Sequence, residues 1–234
     1  MKLKDKLIRD WKKDRETLKT LNFRQKLQFI LDYYRGQMFI LFVFFMIAFY
    51  IGDMVYQSSQ TIDLQGFFIN DRQNLFPAEE LIKDFSSYMG TPSGHRIAFE
   101  DSLYVDLESS NEYNAASQGK LVAYVAAREL DFFVAPEALA QYYADSFLLY
   151  DLEELLPGEL QEYLKNDFYY AADGTGEEKA CGLSLSRSRF LQNPVYDGTE
   201  DYYLLVLSYT PRTDALISFI KYAYPQWEEP LQAH

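Results

Sequence analysis

The chain has 234 residues and a net charge of −13, with 48% hydrophobic and 24% charged residues, enough apolar content for a packed core and too much for a wholly disordered chain. The charge is divided: residues 1–36 hold 11 of the 22 Lys and Arg and 5 of the 35 Asp and Glu, a net of +6, whereas residues 37–234 carry −19. So acidic a main portion excludes nucleic acid as a partner, since phosphate binding needs clustered Lys and Arg, and a single cysteine, Cys181, excludes an intrachain disulfide and any CxxC zinc site.

Residues 1–36 alternate basic and apolar positions. Phe23, Leu27, Ile30, Leu31 and Tyr34 recur at helical spacing, and Leu3, Leu7, Trp11, Leu18 and Leu21 form an earlier amphipathic stretch, with Thr20 or Asn22 as a cap between them. Such a segment suits an anionic lipid surface or a cytoplasmic partner, or acts simply as a positively charged topology determinant. Met38–Ile51 (MFILFVFFMIAFYI) then runs without a charge. Tolerant flanks extend it to residues 37–56, close to the ~20 helical residues that a bilayer core of about 30 Å requires. Tyr33, Tyr34, Tyr50 and Tyr56 fall where interfacial aromatic belts form, and the Lys/Arg excess before the span predicts a cytoplasmic N-terminus. Bulky residues where a small A-x-A site would be needed argue against cleavage. A buried core helix or a signal-peptide apolar stretch is the alternative reading.

After a polar connector at 57–61, the region 62–224 alternates strand-like and helix-like runs. Ile62–Asn70 is a predicted strand. Pro77–Met89 is a helix with Glu79 and Glu80 in its first turn and Gly90 behind it. His95–Leu107 reads as one or two strands, Asn111–Glu129 as a helix, Leu130–Ala135 as a buried strand and Pro136–Ala144 as a helix. Asp151–Leu164 gives short helices broken at Pro157-Gly158. Phe168–Ala172 and Ala180–Ser186 flank a hairpin turn, Tyr202–Tyr209 is the strongest strand, and Pro211–Tyr224 is a closing helix. The acidic tail, 225–234, reads as loose. Helices interleaved with apolar strands indicate an α/β domain with a helix-covered sheet.

Chemical signals are sparse. A nucleophilic triad needs a histidine, and His95, in the turn-like TPSGH stretch, reads as a surface loop residue. Cys181 reads as a small core residue rather than a nucleophile. Glu153-Glu154 and Glu177-Glu178 read as solvated, and Asp173–Glu177 as a hairpin turn, too short for a calcium loop. No cofactor is expected. Aromatics reach 17%, and in the adjacent pairs Tyr142-Tyr143, Tyr169-Tyr170 and Tyr202-Tyr203 one member is expected in the core and the other at the surface.

Gly119–Pro157 resembles the middle of type 2 extracytoplasmic solute-binding proteins: a helix leads to a strand with an Asp-hydrophobic-hydrophobic run, here Asp131-Phe132-Phe133-Val134, then a helix and a Leu-Asp-Leu-like stretch, here Tyr150-Asp151-Leu152. Tyr202–Tyr224 is similar to the family's returning strand and helix, and the arrangement looks like anchored relatives in Gram-positive bacteria. Residues 62–224 are too few for two lobes and a hinge, so the resemblance implies one reduced lobe that meets a membrane partner, as an accessory or sensing subunit of an ABC transporter or other assembly at the plasma membrane. A small-molecule ligand is also allowed. The other readings are a cell-surface hydrolase using carboxylates and a purely structural subunit. If the sheet is mainly parallel, a contact site lies beyond the carboxyl ends of its strands. Geometry and resemblance together then single out Asn70, Asp71, Arg72, Pro136, Glu137, Ser208 and Thr210.

Overall fold

The computed structural model describes residues 35–109, 111–192 and 194–227, together with Asn22 and Gln25. The predicted amphipathic stretches of residues 1–34 lie outside the described residues, except that the Asn22 N–H donates to Gln25 Oε1 at 3.0 Å, the backward half of a capping box. The acidic end, 228–234, lies outside them as well. The chain divides into two units, Met1–Ser59 and Gln60–His234, with the boundary inside the expected connector.

In the first unit, helix α1 spans Arg35–Ser58. Its stretch Met38–Tyr56 is long and apolar enough to cross a membrane, and none of it is buried. Large side chains are exposed all around it, from Phe39 to Phe49 and Tyr56. A core helix of a soluble domain hides one stripe; this one hides none.

The second unit is built on one six-stranded mixed sheet. Its elements are β1 (Thr61–Ile69), α2 (Ala78–Met89), β2 (His95–Leu103), α3 (Glu112–Ala126), β3 (Phe132–Pro136), α4 (Glu137–Ala144), α5 (Leu152–Leu155), α6 (Gly158–Leu164), β4 (Phe168–Ala172), β5 (Glu178–Ser184), β6 (Tyr202–Val206) and α7 (Thr213–Ala223). The strand order is β2-β1-β3-β6-β5-β4. β2, β1 and β3 run parallel, whereas β6 is antiparallel to both β3 and β5, and β4 to β5.

Strand periodicity divides the apolar residues between two cores. Leu64, Phe68, Phe132, Val134, Leu204 and Val206 face one side, where Leu81 and Phe85 of α2, Leu160 of α6 and Leu216, Phe219 and Ile220 of α7 cover them. Phe67, Ile69, Phe133, Ala135, Leu205 and Leu207 face the other, under Leu121 of α3 and Leu139, Ala140 and Tyr143 of α4. Gly66 belongs to this packing. The Phe132 ring lies across β1 there, and a Cβ on Gly66 would come within 2.2 Å of it.

The helix signals act as expected at α2, which ends at Gly90 in the left-handed region, with the Thr91 N–H returning to Ser86 O at 3.0 Å. Asn111 caps α3 by accepting from the Asn114 N–H. Several boundaries shift by a few residues: α3 ends at Ala126 rather than Glu129, and β2 at Leu103 rather than Leu107. The closing helix α7 starts at Thr213, two residues past Pro211, because Arg212 is held outside it by Asp131. The last strand stops at Val206, and Leu207 makes only a single bridge to Leu149 before the chain turns. His95 is the first residue of β2 rather than a loop residue, and its Nδ1 lies 2.6 Å from Asp63 Oδ1. In two of the tyrosine pairs one member is buried and its neighbour exposed or half-exposed, Tyr143 at 3% against Tyr142 at 51%, and Tyr202 at 1% beside a half-exposed Tyr203. In the third, Tyr169 is only half-buried and Tyr170 is 49% exposed.

Candidate functional site

β1 and β3, being parallel and adjacent, end at the same edge of the sheet. There the chain leaves β1 through Asn70, whose φ of 60° puts it in the left-handed region. Its buried carboxamide clasps Val105 in both directions, Nδ2 donating to Val105 O at 2.8 Å and Oδ1 accepting from Val105 N at 2.7 Å. Asn70 O accepts from the Tyr202 hydroxyl at 3.0 Å, and this hydroxyl also reaches Glu200 Oε2 at 3.2 Å. One asparagine thus fastens the β2–α3 loop and the start of β6 to the end of β1. Such crevices at the carboxyl ends of parallel strands are where α/β sheets bind ligands.

The result is a groove of about 340 Å³ lined by Asn70, Arg72, Val105, Asp106, Leu107, Glu108, Pro136, Ala138, Leu139 and Glu200. Its floor is apolar, with Val105 and Leu139 buried, while Leu107 is 45% exposed at the rim. Arg72 stacks over the Tyr104 ring at 5.0 Å and hydrogen-bonds the Tyr104 hydroxyl. Asp106 accepts from the Glu108 N–H at 2.9 Å, which tightens the loop.

Of the seven residues expected at the strand ends, the groove gathers Asn70, Arg72 and Pro136. Asp71 is a turn staple: its two oxygens accept the N–H groups of Leu75 and Phe76, each at 2.7 Å. Burial raises its carboxyl above the ordinary value, opposed by those N–H bonds. Glu137 is exposed at the start of α4, outside the groove lining. Ser208 and Thr210 are a correction. Their place at the strand ends requires a mainly parallel sheet, but Pro136 pairs with Tyr202 and Phe132 with Val206, so β6 runs the other way and delivers Ser208 and Thr210 to the opposite end. Thr210 there donates its hydroxyl to the buried Asp131 carboxylate, and Ser208 N bonds Leu148 O at 3.0 Å. The sequence reading missed Asp106, Leu107, Glu108 and Glu200. The first three sit in an irregular loop without periodicity, and Glu200 reaches the groove only through the direction of β6.

Elsewhere, the Asp173–Glu177 stretch is a hairpin turn between β4 and β5, closed by the Asp173 N–H on Glu177 O at 3.1 Å. The Asp173 carboxylate accepts from Thr175 N at 2.9 Å, from Leu149 N at 3.3 Å and from Lys179 Nζ at 2.9 Å, so its oxygens are already engaged. Burial acts to raise this carboxyl; the bonds from Thr175, Lys179 and Leu149 outweigh it and hold it at about 2. A depressed folded pKa means stability present above the unfolded value of about 3.8 and lost as pH falls toward 2. Urea midpoints between pH 5 and pH 2 should therefore fall by more in the native chain than in Asp173→Asn. The difference should be on the order of 1 kcal/mol after screening. Parallel acid limbs would contradict it. Cys181 is buried at 0% exposure and its thiol is pushed up to about 11 by burial, the opposite of an activated nucleophile. Among the described residues no group of three or more His, Cys, Asp or Glu is placed to hold a metal ion.

No protein-family model, curated protein or solved structure matches the chain.

Proposed function

We propose that the chain is a single-pass membrane protein with a cytoplasmic N-terminus, whose second unit is an extracytoplasmic, solute-binding-protein-like single lobe that recognises a membrane partner. It would serve as an accessory or sensing subunit of a transporter or other assembly at the plasma membrane. Support for the anchor comes from α1, apolar on every side, and from the charge division of +6 over residues 1–36 against −19 over the rest. The lobe reading draws on the order of elements: three parallel strands followed by β6, which returns antiparallel beside β3 ahead of a closing helix.

The observation that carries recognition rather than catalysis is the groove at the ends of β1 and β3. It is open and apolar-floored, Arg72 is already stacked on Tyr104, and Glu108 stands exposed at its rim. General acid–base work asks for carboxyls withdrawn from water so that their titration is displaced. A shallow surface with an apolar centre and a polar rim is instead the anatomy of a protein interface. A photo-crosslinking benzoylphenylalanine in place of Leu107, in the full chain within native membranes, is expected to capture one discrete membrane protein, and adding Arg72→Ala to reduce that product severalfold. A monomer in gentle detergent that yields no crosslinked protein and holds a small solute tightly would contradict the reading.

A further inference from the structure

At the opposite end of the sheet from the Asn70 groove, along the edge strand β2, lies a second groove of about 320 Å³, lined from the α3 face and, through Ile82, Ile97 and Phe99, from the α2 face. Gln65 pairs in register with Ala98 and Phe67 with Glu100, and alternation along β2 sets Arg96 on the same face as Ala98 and Glu100. Tyr124 of α3 and Glu129 close the far side. The Tyr124 ring packs on Phe67 at 5.0 Å between centroids.

Three donors in this groove have side chains with no protein partner among the described residues. Arg96 Nε is sealed from solvent without an acceptor. Gln65 is bound only through its backbone, its N–H to Asp131 Oδ2 at 2.7 Å and its carbonyl from Asp131 N at 3.0 Å, which leaves the carboxamide to the groove. The Tyr124 hydroxyl is the third. Glu100, by contrast, is neutralised by Lys120 at 2.8 Å. A guanidinium stays charged at any physiological pH, and leaving its buried N–H without an acceptor is costly. Its two terminal Nη groups match a carboxylate, and the neighbouring carboxamide and hydroxyl can donate to the same anion.

We propose that this groove is a second ligand site, which takes a small monocarboxylate with a flat apolar body, the carboxylate on Arg96 and the body against the half-buried Tyr124 ring. A phosphate dianion is disfavoured because Glu129 lines the same space. The volume is that of a small-molecule site. The proposal is independent of the partner reading of the Asn70 groove, since the two sites share no lining residue.

The test uses the full chain in lipid nanodiscs, with benzoate as the probe observed by saturation-transfer NMR. Saturable binding is expected, weakened tenfold or more in Arg96→Gln and less in Arg96→Lys, which keeps the charge without the fork. The thermal midpoint of Arg96→Gln should equal or exceed that of the native chain, because the unpaired arginine contributes no bond to the fold. Equal benzoate binding by Arg96→Gln, a non-saturable signal, or inorganic phosphate binding more tightly than benzoate would each overturn the proposal. So would a clear drop in the Arg96→Gln midpoint, which would give Arg96 a structural role instead.

Discussion

Asp131→Ala is expected to destabilise the second unit by about 3–5 kcal/mol, because it leaves buried donors and the partly buried Arg212 guanidinium without their acceptor. Asp131 is fully buried. Its Oδ2 accepts from Gln65 N at 2.7 Å, and its Oδ1 accepts from Arg212 Nε at 2.9 Å and from the Thr210 hydroxyl. Arg212 in turn donates to Glu129 O at 2.7 Å. One carboxylate therefore ties β1, the entry to β3 and the β6–α7 connection together, and its loss orphans the Gln65 N–H and takes the counter-charge from the guanidinium at once. Urea unfolding followed by circular dichroism measures the effect; Asp131→Asn, which keeps an acceptor, should lose less. A loss under about 1 kcal/mol for the alanine variant would mean that the cluster does not organise the fold. Burial raises this carboxyl above its ordinary value, against the bonds from Thr210, Gln65 and Arg212. A raised folded pKa favours the fold below the unfolded pKa and loses that contribution as pH rises through the folded one, the reverse of Asp173.

Phe219→Ala is expected to cost a similar amount, about 3–5 kcal/mol, through the cavity it leaves. Phe219 of α7 is fully buried, and its ring centroid lies 4.8 Å from that of Phe132, 5.2 Å from those of Phe85 and Phe99, and 6.1 Å from that of Phe190. It joins α2 and α7 to the strand that carries the Gly66 contact. Phe219→Leu should lose distinctly less, since it removes ring contacts but fills most of the volume. Thermal unfolding of the three chains side by side decides this. If the alanine and leucine variants melt together with the native chain, α7 is not the closing element described.

The features legible in the sequence are those with a local physical cause. Pro77, Glu79, Glu80 and Gly90 mark the two ends of α2 by chain stiffness, dipole and a left-handed turn, and the structure places the helix between them. The four consecutive apolar residues 132–135 (Phe, Phe, Val, Ala) must face both sides of a sheet, and they do. What was not legible depends on long-range placement. Nothing in Tyr202–Val206 says that it pairs antiparallel with a strand some 70 residues earlier. From that single direction follow the removal of Ser208 and Thr210 from the strand-end site and the arrival of Glu200 within it. Arg96 was equally invisible, since a lone arginine in a strand has no local signature; only the absence of an acceptor in the folded state marks it.

The proposed function rests on α1 dividing the chain between two compartments. The single native cysteine is buried, so a chain with Tyr142→Cys, on the exposed face of α4, and a second chain with Lys12→Cys each report one side. With a membrane-impermeant maleimide on intact cells, Tyr142→Cys should label fully, and Lys12→Cys only after permeabilisation. Labelling in the opposite order, or of both positions only in lysed cells, would contradict an extracytoplasmic second unit held by a single span.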